Sequence, residues 1–123
     1  MFVCQPKGVQ DLCVRSLREG GDMELLFASP NWKTAGSWMR DGRSVLFDEQ
    51  DPETNRDLKI LSLGDKPEVR TLLATPFDEV TPEVSPDGRW VAYMCSPSSA
   101  RRRHASCSGS RRGRSATHRS SKT

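Results

Sequence analysis

The side chains that could bind a metal ion or act as nucleophiles are few and poorly spaced. The cysteines lack the C-x-x-C spacing of zinc sites, and neither histidine stands near them in a metal-binding pattern. We therefore expect no metal site and no cofactor. Three of the four cysteines fall in strand-like segments, where we expect buried free thiols: Cys4, Cys13 and Cys95.

An acidic run, Asp48–Glu53, is the next candidate for cation binding. Its carboxylates lack the alternation and the closing glutamate of an EF-hand loop, so we expect a solvated loop. The chain also has no nucleophile elbow, Walker loop, kinase catalytic loop or histidine-based triad, because both histidines lie beyond residue 100. The sequence therefore predicts a protein that is not an enzyme and has no catalytic residues.

Two aspartate–glycine pairs are explained by turn geometry. Pro86 has the φ wanted at the second position of a type I turn, Asp87 tolerates the third, and Gly88 closes the turn with a positive φ. Asp41 and Gly42 form a weaker version of the same hairpin. We interpret all five as structural turn residues rather than ligands or catalytic acids.

The two hairpins are 46 residues apart, and other features recur at the same offset. The segment Asp11–Leu17 aligns with Asp57–Leu63, and Ser29-Pro30 aligns with Thr75-Pro76. A period of roughly 40–50 residues with four strands per unit is typical of a β-propeller blade. The sequence thus predicts an all-β fold, a partial β-propeller of about two four-stranded antiparallel blades.

The turn at residues 85–89, its aromatic strand and the Asp57-Leu58 pair resemble the WD-like β-propeller repeats of the TolB family over residues 1–95. Similar propellers belong to some bacterial serine/threonine kinases and serine peptidases. The resemblance implies a non-enzymatic interaction scaffold that presents loops to a protein or peptide partner. The alternative is an accessory propeller of such a kinase or peptidase. Because a propeller needs at least four blades, we expect the chain to be a piece of a larger protein.

The repeat also predicts strand positions. Residues 75–80 are expected to connect two blades. The expected strands are Met1–Cys4, Asp11–Leu17, Met23–Ala28, Ala35–Met39, Arg43–Glu49, Asp57–Leu63, Glu68–Ala74, Thr81–Ser85 and Arg89–Cys95.

The composition changes at residue 96. Residues 1–95 hold all 16 acidic and 11 of the 19 basic residues, whereas residues 96–123 carry a charge of +8. This Ser- and Arg-rich tail has no Leu, Ile, Val or Phe, so we expect it to be disordered. Because it breaks the repeat within a blade, we interpret it as an out-of-frame reading. The rival interpretation is a genuine basic tail that binds nucleic acid weakly, against which stands its lack of aromatic residues for base stacking.

The tryptophans are the remaining candidates for a binding surface. Trp38 and Trp90 lie on or beside expected strands and should pack between blades, whereas Trp32 lies in a loop and is the possible partner-binding residue. No apolar run is long enough for a signal peptide or a membrane span. As written, the chain is expected in the cytoplasm, while a parent protein in the cell envelope or periplasm stays open.

Overall fold

The computed structural model describes residues 1–97 and 111–112, with side chains described up to residue 96. This part of the chain is all-β and contains no helix, and therefore none that could cross a bilayer. Its strands are, in chain order, β1 (Phe2–Cys4), β2 (Asp11–Arg15), β3 (Met23–Phe27), β4 (Lys33–Trp38), β5 (Ser44–Asp51), β6 (Asn55–Ser62), β7 (Glu68–Leu73), β8 (Phe77–Val84), β9 (Trp90–Pro97) and β10 (Arg111–Arg112).

The strands form three antiparallel sheets. The first has the order β1-β2-β3, the second β4-β5-β6-β7, and the third β8-β9-β10. Apart from β9 and β10, strands that follow each other in the chain and share a sheet are joined by short turns or loops, as in a meander. The predicted tail, residues 96–123, lies outside the described residues except for residues 96–97 and 111–112.

The second sheet lies between the other two and supplies most of the core. Successive side chains of a strand point to opposite faces, so Val45 and Phe47 of β5 pack on Leu12 of the first sheet. Leu46, which lies between them in β5, instead packs on Val91 of the third sheet. All four residues from Ser44 to Phe47 are buried, which is the pattern of a strand covered on both faces.

Strand pairings recur at the offset of 46 residues. In the first sheet Leu12 pairs with Phe27, and in the second Leu58 pairs with Leu73. The pairing shifts at the residue after Leu12 and again at the residue after Leu58, so the irregularity recurs as well. The pairs formed by β4 with β5 are likewise repeated by β8 with β9, beginning with Lys33–Glu49 and Glu79–Cys95.

Several predicted strand boundaries were displaced by a few residues. The largest error was at residues 75–80, predicted to be a connection, because β8 already begins at Phe77 and pairs there with Pro97. The acidic pair at positions 78 and 79 gave no apolar signal for a strand, although Glu79 is only 1% exposed. The start of β4 was likewise predicted two residues too late, at Ala35, because a lysine at position 33 gave no apolar signal for a strand.

The expectation of free thiols was wrong. Cys4 and Cys13 form a disulfide across β1 and β2, with their Cα atoms 5.9 Å apart, and Cys95 of β9 is also disulfide-bonded. The nine-residue separation carries no disulfide signature in the sequence. Antiparallel pairing places Cys13 of β2 opposite Phe2 of β1. Cys4, two residues further along β1, therefore lies diagonally across from Cys13, close enough for a disulfide.

Candidate interaction site

Asp41 and Gly42 lie in the turn between β4 and β5. The Asp41 Oδ1 atom accepts hydrogen bonds from the amides of Arg43 (2.8 Å) and Ser44 (2.9 Å), and Gly42 has a φ of +66°. The Arg43 amide, helped by the Ser44 side chain and amide, holds the pKa of Asp41 below its usual value of 3.8. The carboxylate therefore accepts its hydrogen bonds from residues of its own turn.

Pro86, Asp87 and Gly88 lie in the corresponding turn between β8 and β9. Asp87 Oδ1 accepts hydrogen bonds from the Ser85 hydroxyl (2.5 Å) and the Arg89 amide (3.0 Å), and these bonds lower the pKa of Asp87. Gly88 has a φ of +69°, and its amide donates to the Ser85 carbonyl, closing the turn. Both turn aspartates therefore have the local hydrogen bonds that a turn role requires.

Trp32 lies in the connection between β3 and β4 and is 46% exposed. It borders a shallow depression of about 250 Å³, and we call the residues that line this depression the Trp32 platform: Pro30, Asn31, Trp32, Gln50 and Pro52. The Trp32 carbonyl accepts a hydrogen bond from the Gln50 amide (2.8 Å), so β5 holds the loop backbone in place. A depression lined by an indole ring, two prolines and two amide side chains can contact an extended peptide.

Lys33 fixes the loop that carries Trp32. Its side chain is fully buried, and its Nζ atom donates hydrogen bonds to the carbonyls of Ser29 (3.0 Å), Asn31 (2.6 Å) and Gln10 (3.3 Å). Nζ also lies 3.2 Å from Asp11 Oδ1, in an ion pair that is almost fully removed from solvent. The ammonium therefore ties the loop to the start of β2, and Trp32 is presented from a rigid base.

Glu49 supports the same loop from β5. One carboxylate oxygen accepts a hydrogen bond from the Ser29 hydroxyl, and the other lies 2.6 Å from Lys59 Nζ. Glu49 is 3% exposed and Asp48 is fully buried, so the prediction of a solvated acidic loop from 48 to 53 was wrong for these two residues. β5 runs through these residues to Asp51, and the remaining turn is short because β6 begins at Asn55.

Asp48 joins the second sheet to the third. Its Oδ1 atom lies 2.9 Å from Nη2 of Arg56, and its Oδ2 atom accepts a hydrogen bond from the Thr81 amide (3.2 Å). Burial raises the pKa of Asp48, and the Arg56 guanidinium opposes that rise. Thr81 has a φ of +51° at the irregularity in β8, so the carboxylate holds an unusual backbone conformation in place.

Trp38 and Trp90, which were expected to pack between blades, are both partly exposed. Trp38 is 40% and Trp90 41% exposed, close to the value for Trp32. Trp38 borders a second depression, of about 400 Å³, which is also lined by Val14 and Leu26 of the first sheet and by Leu63, directly after β6. Exposure alone therefore does not distinguish Trp32 from the other two tryptophans. Trp32 differs from them because it lies on a loop that the buried Lys33 holds in place.

No protein-family model matches the chain, and no curated protein matches it either. Within residues 1–96, no three acidic, histidine or cysteine side chains converge as a metal-binding group.

Sequence reasoning identified Trp32 but missed the residue that positions it. No feature of the sequence marks Lys33 as buried or Asp11 and Glu49 as its partners. One available signal was the alignment of Ser29-Pro30 with Thr75-Pro76 at an offset of 46 residues. The same offset aligns Lys33 with Glu79 in the sequence. A reversal of charge at matching positions of a repeat marks a position where the local environment must differ.

Proposed function

We propose that the chain is a non-enzymatic interaction scaffold built from TolB-like β-propeller repeats, which binds a protein or peptide through the Trp32 platform. The observation that carries the proposal is the exposed Trp32 ring on a loop that a buried lysine holds rigid. Rigid aromatic residues lose little entropy on binding and are enriched among the residues that dominate binding energy.

The propeller part of the proposal is supported by the recurrence of strand pairings. The second sheet has four antiparallel strands in meander order, which is the composition of a propeller blade. The first and third sheets repeat parts of it at an offset of 46 residues, and β8 packs against β4, β5 and β6 of the neighbouring sheet. A ring of such blades needs at least four, so these repeats would belong to a larger protein.

The disulfides favour a location outside the cytoplasm. Disulfides persist in the periplasm and other oxidising compartments and are rare in the cytosol, and the pair Cys4–Cys13 joins two strands of the first sheet. We expect the chain exported to the periplasm to contain no thiol at Cys4 or Cys13 when assayed by alkylation and mass spectrometry. Complete alkylation of both residues in the exported, folded protein would contradict this location.

Peptide selection tests the binding proposal. A random peptide library would be selected against the full chain, and the affinities of the enriched peptides would be measured by fluorescence anisotropy. We expect Trp32→Ala to weaken their binding by at least roughly 30-fold, the loss typical of a dominant interface residue. Trp90→Ala is the matched control, because that ring is similarly exposed, and it should change affinity less than about twofold.

Two results would contradict the proposal. One is that no peptide is enriched over several rounds of selection. The other is that the enriched peptides bind the Trp32→Ala variant as tightly as the unsubstituted chain.

A further inference from the structure

Two buried positions of the repeat carry opposite charges. Asp11 at the start of β2 corresponds to Asp57 in β6, and Lys33 at the start of β4 corresponds to Glu79 in β8, each at the offset of 46 residues. Lys33 and Glu79 occupy matching places in their sheets, since Lys33 pairs with Glu49 and Glu79 with Cys95. The two positions hold an aspartate and a lysine in the first repeat but an aspartate and a glutamate in the second. The strand that carries Asp57, β6, packs against the strand that carries Glu79, β8.

The loops before these two positions have the same local hydrogen bond. The Asn31 amide donates to the Ser29 hydroxyl (3.3 Å), and the Phe77 amide donates to the Thr75 hydroxyl (3.2 Å). In the first repeat, this loop supplies two of the carbonyl oxygens that surround the Lys33 ammonium. The first repeat therefore shows what this pocket holds: a cation that contacts the Asp11 carboxylate and three backbone carbonyls, with the Glu49 carboxylate 3.9 Å away.

In the second repeat, the carboxylates at the two matching positions are both buried. Asp57 is 3% exposed and Glu79 is 1% exposed. One oxygen of each carboxylate accepts a hydrogen bond, from Thr54 in Asp57 and from Thr75 in Glu79. The other oxygens, Asp57 Oδ1 and Glu79 Oε2, are buried and have no hydrogen-bond partner, and neither carboxylate is in an ion pair within residues 1–96.

Without a bound cation, this arrangement would destabilise the folded chain. Burial raises the pKa of Asp57 and of Glu79, and the charge of Asp57 adds to the rise in Glu79. Two ionised carboxylates removed from water need a compensating positive charge, which Lys33 provides in the first repeat.

We propose that Asp57 Oδ1 and Glu79 Oε2 bind a hard divalent cation of the calcium type in the place that the Lys33 ammonium holds in the first repeat. A glutamate side chain is shorter than a lysine side chain, so a cation bound to the Glu79 carboxylate would lie where the lysine nitrogen ends. Since there are only two carboxylates, backbone carbonyls must complete the coordination. The repeat assigns this role to the residues equivalent to the Lys33 partners: Arg56, Thr75 and Phe77.

The choice of a calcium-type ion follows from the donors. Carboxylate and carbonyl oxygens are the ligands of hard cations, and calcium takes six to eight oxygen ligands in flexible geometry, so water oxygens would join the five protein donors. A charge of +2 neutralises both carboxylates, whereas a monovalent ion would leave one uncompensated. Residues 1–96 contain no histidine, and their three cysteines are disulfide-bonded, so no thiol or imidazole there would favour zinc or copper.

The test uses the full chain after treatment with EDTA and removal of the chelator. Calcium chloride is added at 1 mM, and thermal unfolding and calorimetric binding are measured, with magnesium and manganese chloride as further probes. We expect one calcium per chain and a rise in Tm of at least about 5 °C, reversed by EDTA.

Two variants locate the site. Glu79→Lys gives the second repeat the charge that the first repeat has, so we expect a folded chain with no calcium response. Glu83→Lys makes the same change of charge at an exposed position of β8 and should keep the full response. Glu79→Gln removes the charge with little change of shape and should also lose binding.

The proposal is overturned if none of the three cations binds or changes the Tm, since the two carboxylates then share a proton instead. It is also overturned if Glu79→Lys or Glu79→Gln binds calcium like the unsubstituted chain. None of these outcomes depends on the Trp32 platform, so the proposed function is tested separately.

Discussion

Lys33 is fully buried, although lysine is among the residues least often found inside proteins. Its partners explain the exception. Three carbonyls and the Asp11 carboxylate accept hydrogen bonds from a group that has three protons, so the desolvated charge is well compensated. Burial of this one charge is what converts a surface loop into a fixed support for Trp32.

Lys33→Met should therefore be strongly destabilising. The substitution keeps the apolar stem but leaves the buried Asp11 carboxylate without its cation, which costs about 3–5 kcal/mol in comparable cases. We expect a large decrease in the urea midpoint, measured by tryptophan fluorescence. Lys66→Met, at an exposed position, is the control and should change the free energy of unfolding by less than about 0.5 kcal/mol. Equal stabilities for the two variants would show that the Lys33 contacts contribute little.

Asp41 gives a prediction about pH. Its pKa is lowered in the folded chain, so its contribution to stability is complete above its ordinary value of 3.8 and is lost as the pH falls through the folded-state value. Buried acids with raised pKa values, such as Asp48, act in the opposite direction, so the Asp41 contribution must be isolated by substitution.

We expect Asp41→Asn to narrow the difference in urea midpoint between pH 6 and pH 3, because the asparagine does not titrate. At pH 6 the variant should be less stable by about 1 kcal/mol, the typical value of a lost hydrogen bond. Asp65→Asn, in the exposed turn after β6, is the control. An unchanged pH difference in the Asp41 variant would refute a stabilising role for the ionised carboxylate.

At the scale of elements, the docking of β8 on β4 depends on close backbone approach. A Cβ atom added at Gly36 would lie 2.5 Å from the Leu46 carbonyl oxygen and 2.7 Å from that of Pro82. Next to this contact, the Val84 amide donates a hydrogen bond to the Ser37 hydroxyl (2.9 Å). Neighbouring sheets can therefore pack this closely only where β4 has no side chain.

Gly36→Ala should destabilise the chain by about 1–3 kcal/mol, since backbone atoms must move to admit the methyl group. Gly64→Ala is a matched control, because its Cβ would meet nothing within 4 Å and its φ is not positive. That control should stay within about 0.5 kcal/mol of the unsubstituted chain. The measurement is urea unfolding of both variants, and equal midpoints would rule out tight docking at Gly36.

The sequence predicted elements better than it predicted the contacts of charged residues. The hairpin motifs and the 46-residue recurrence placed most strands correctly, because turn residues and alternating apolar residues report local geometry. Burial of Lys33, Asp48 and Glu79 could not be predicted, since each needs partners distant in the chain. The Cys4–Cys13 disulfide was missed for the same reason, as it depends on which strands pair.

At the scale of the whole molecule, the outer sheets are incompletely covered. Several large apolar side chains of the first and third sheets are half exposed or more, including Met23, Leu25 and Met94. Among the described strands, β3 is the outermost strand of the first sheet and pairs only with β2. Exposed edges and apolar faces of this kind are normally covered by further repeats in a repeat protein, which agrees with the proposal of a larger propeller.

The recurrence of one 46-residue unit is the central claim, and cross-strand nuclear Overhauser effects in the isotopically labelled chain test it most directly. We expect contacts between the backbones of Leu12 and Phe27 and the equivalent contacts between Leu58 and Leu73, with the same shift of pairing at the next residue in both sheets. A different register in β6–β7 from that in β2–β3 would contradict the repeat. The proposal of a propeller would then be unsupported. So would the inference that Glu79 occupies a site equivalent to that of Lys33.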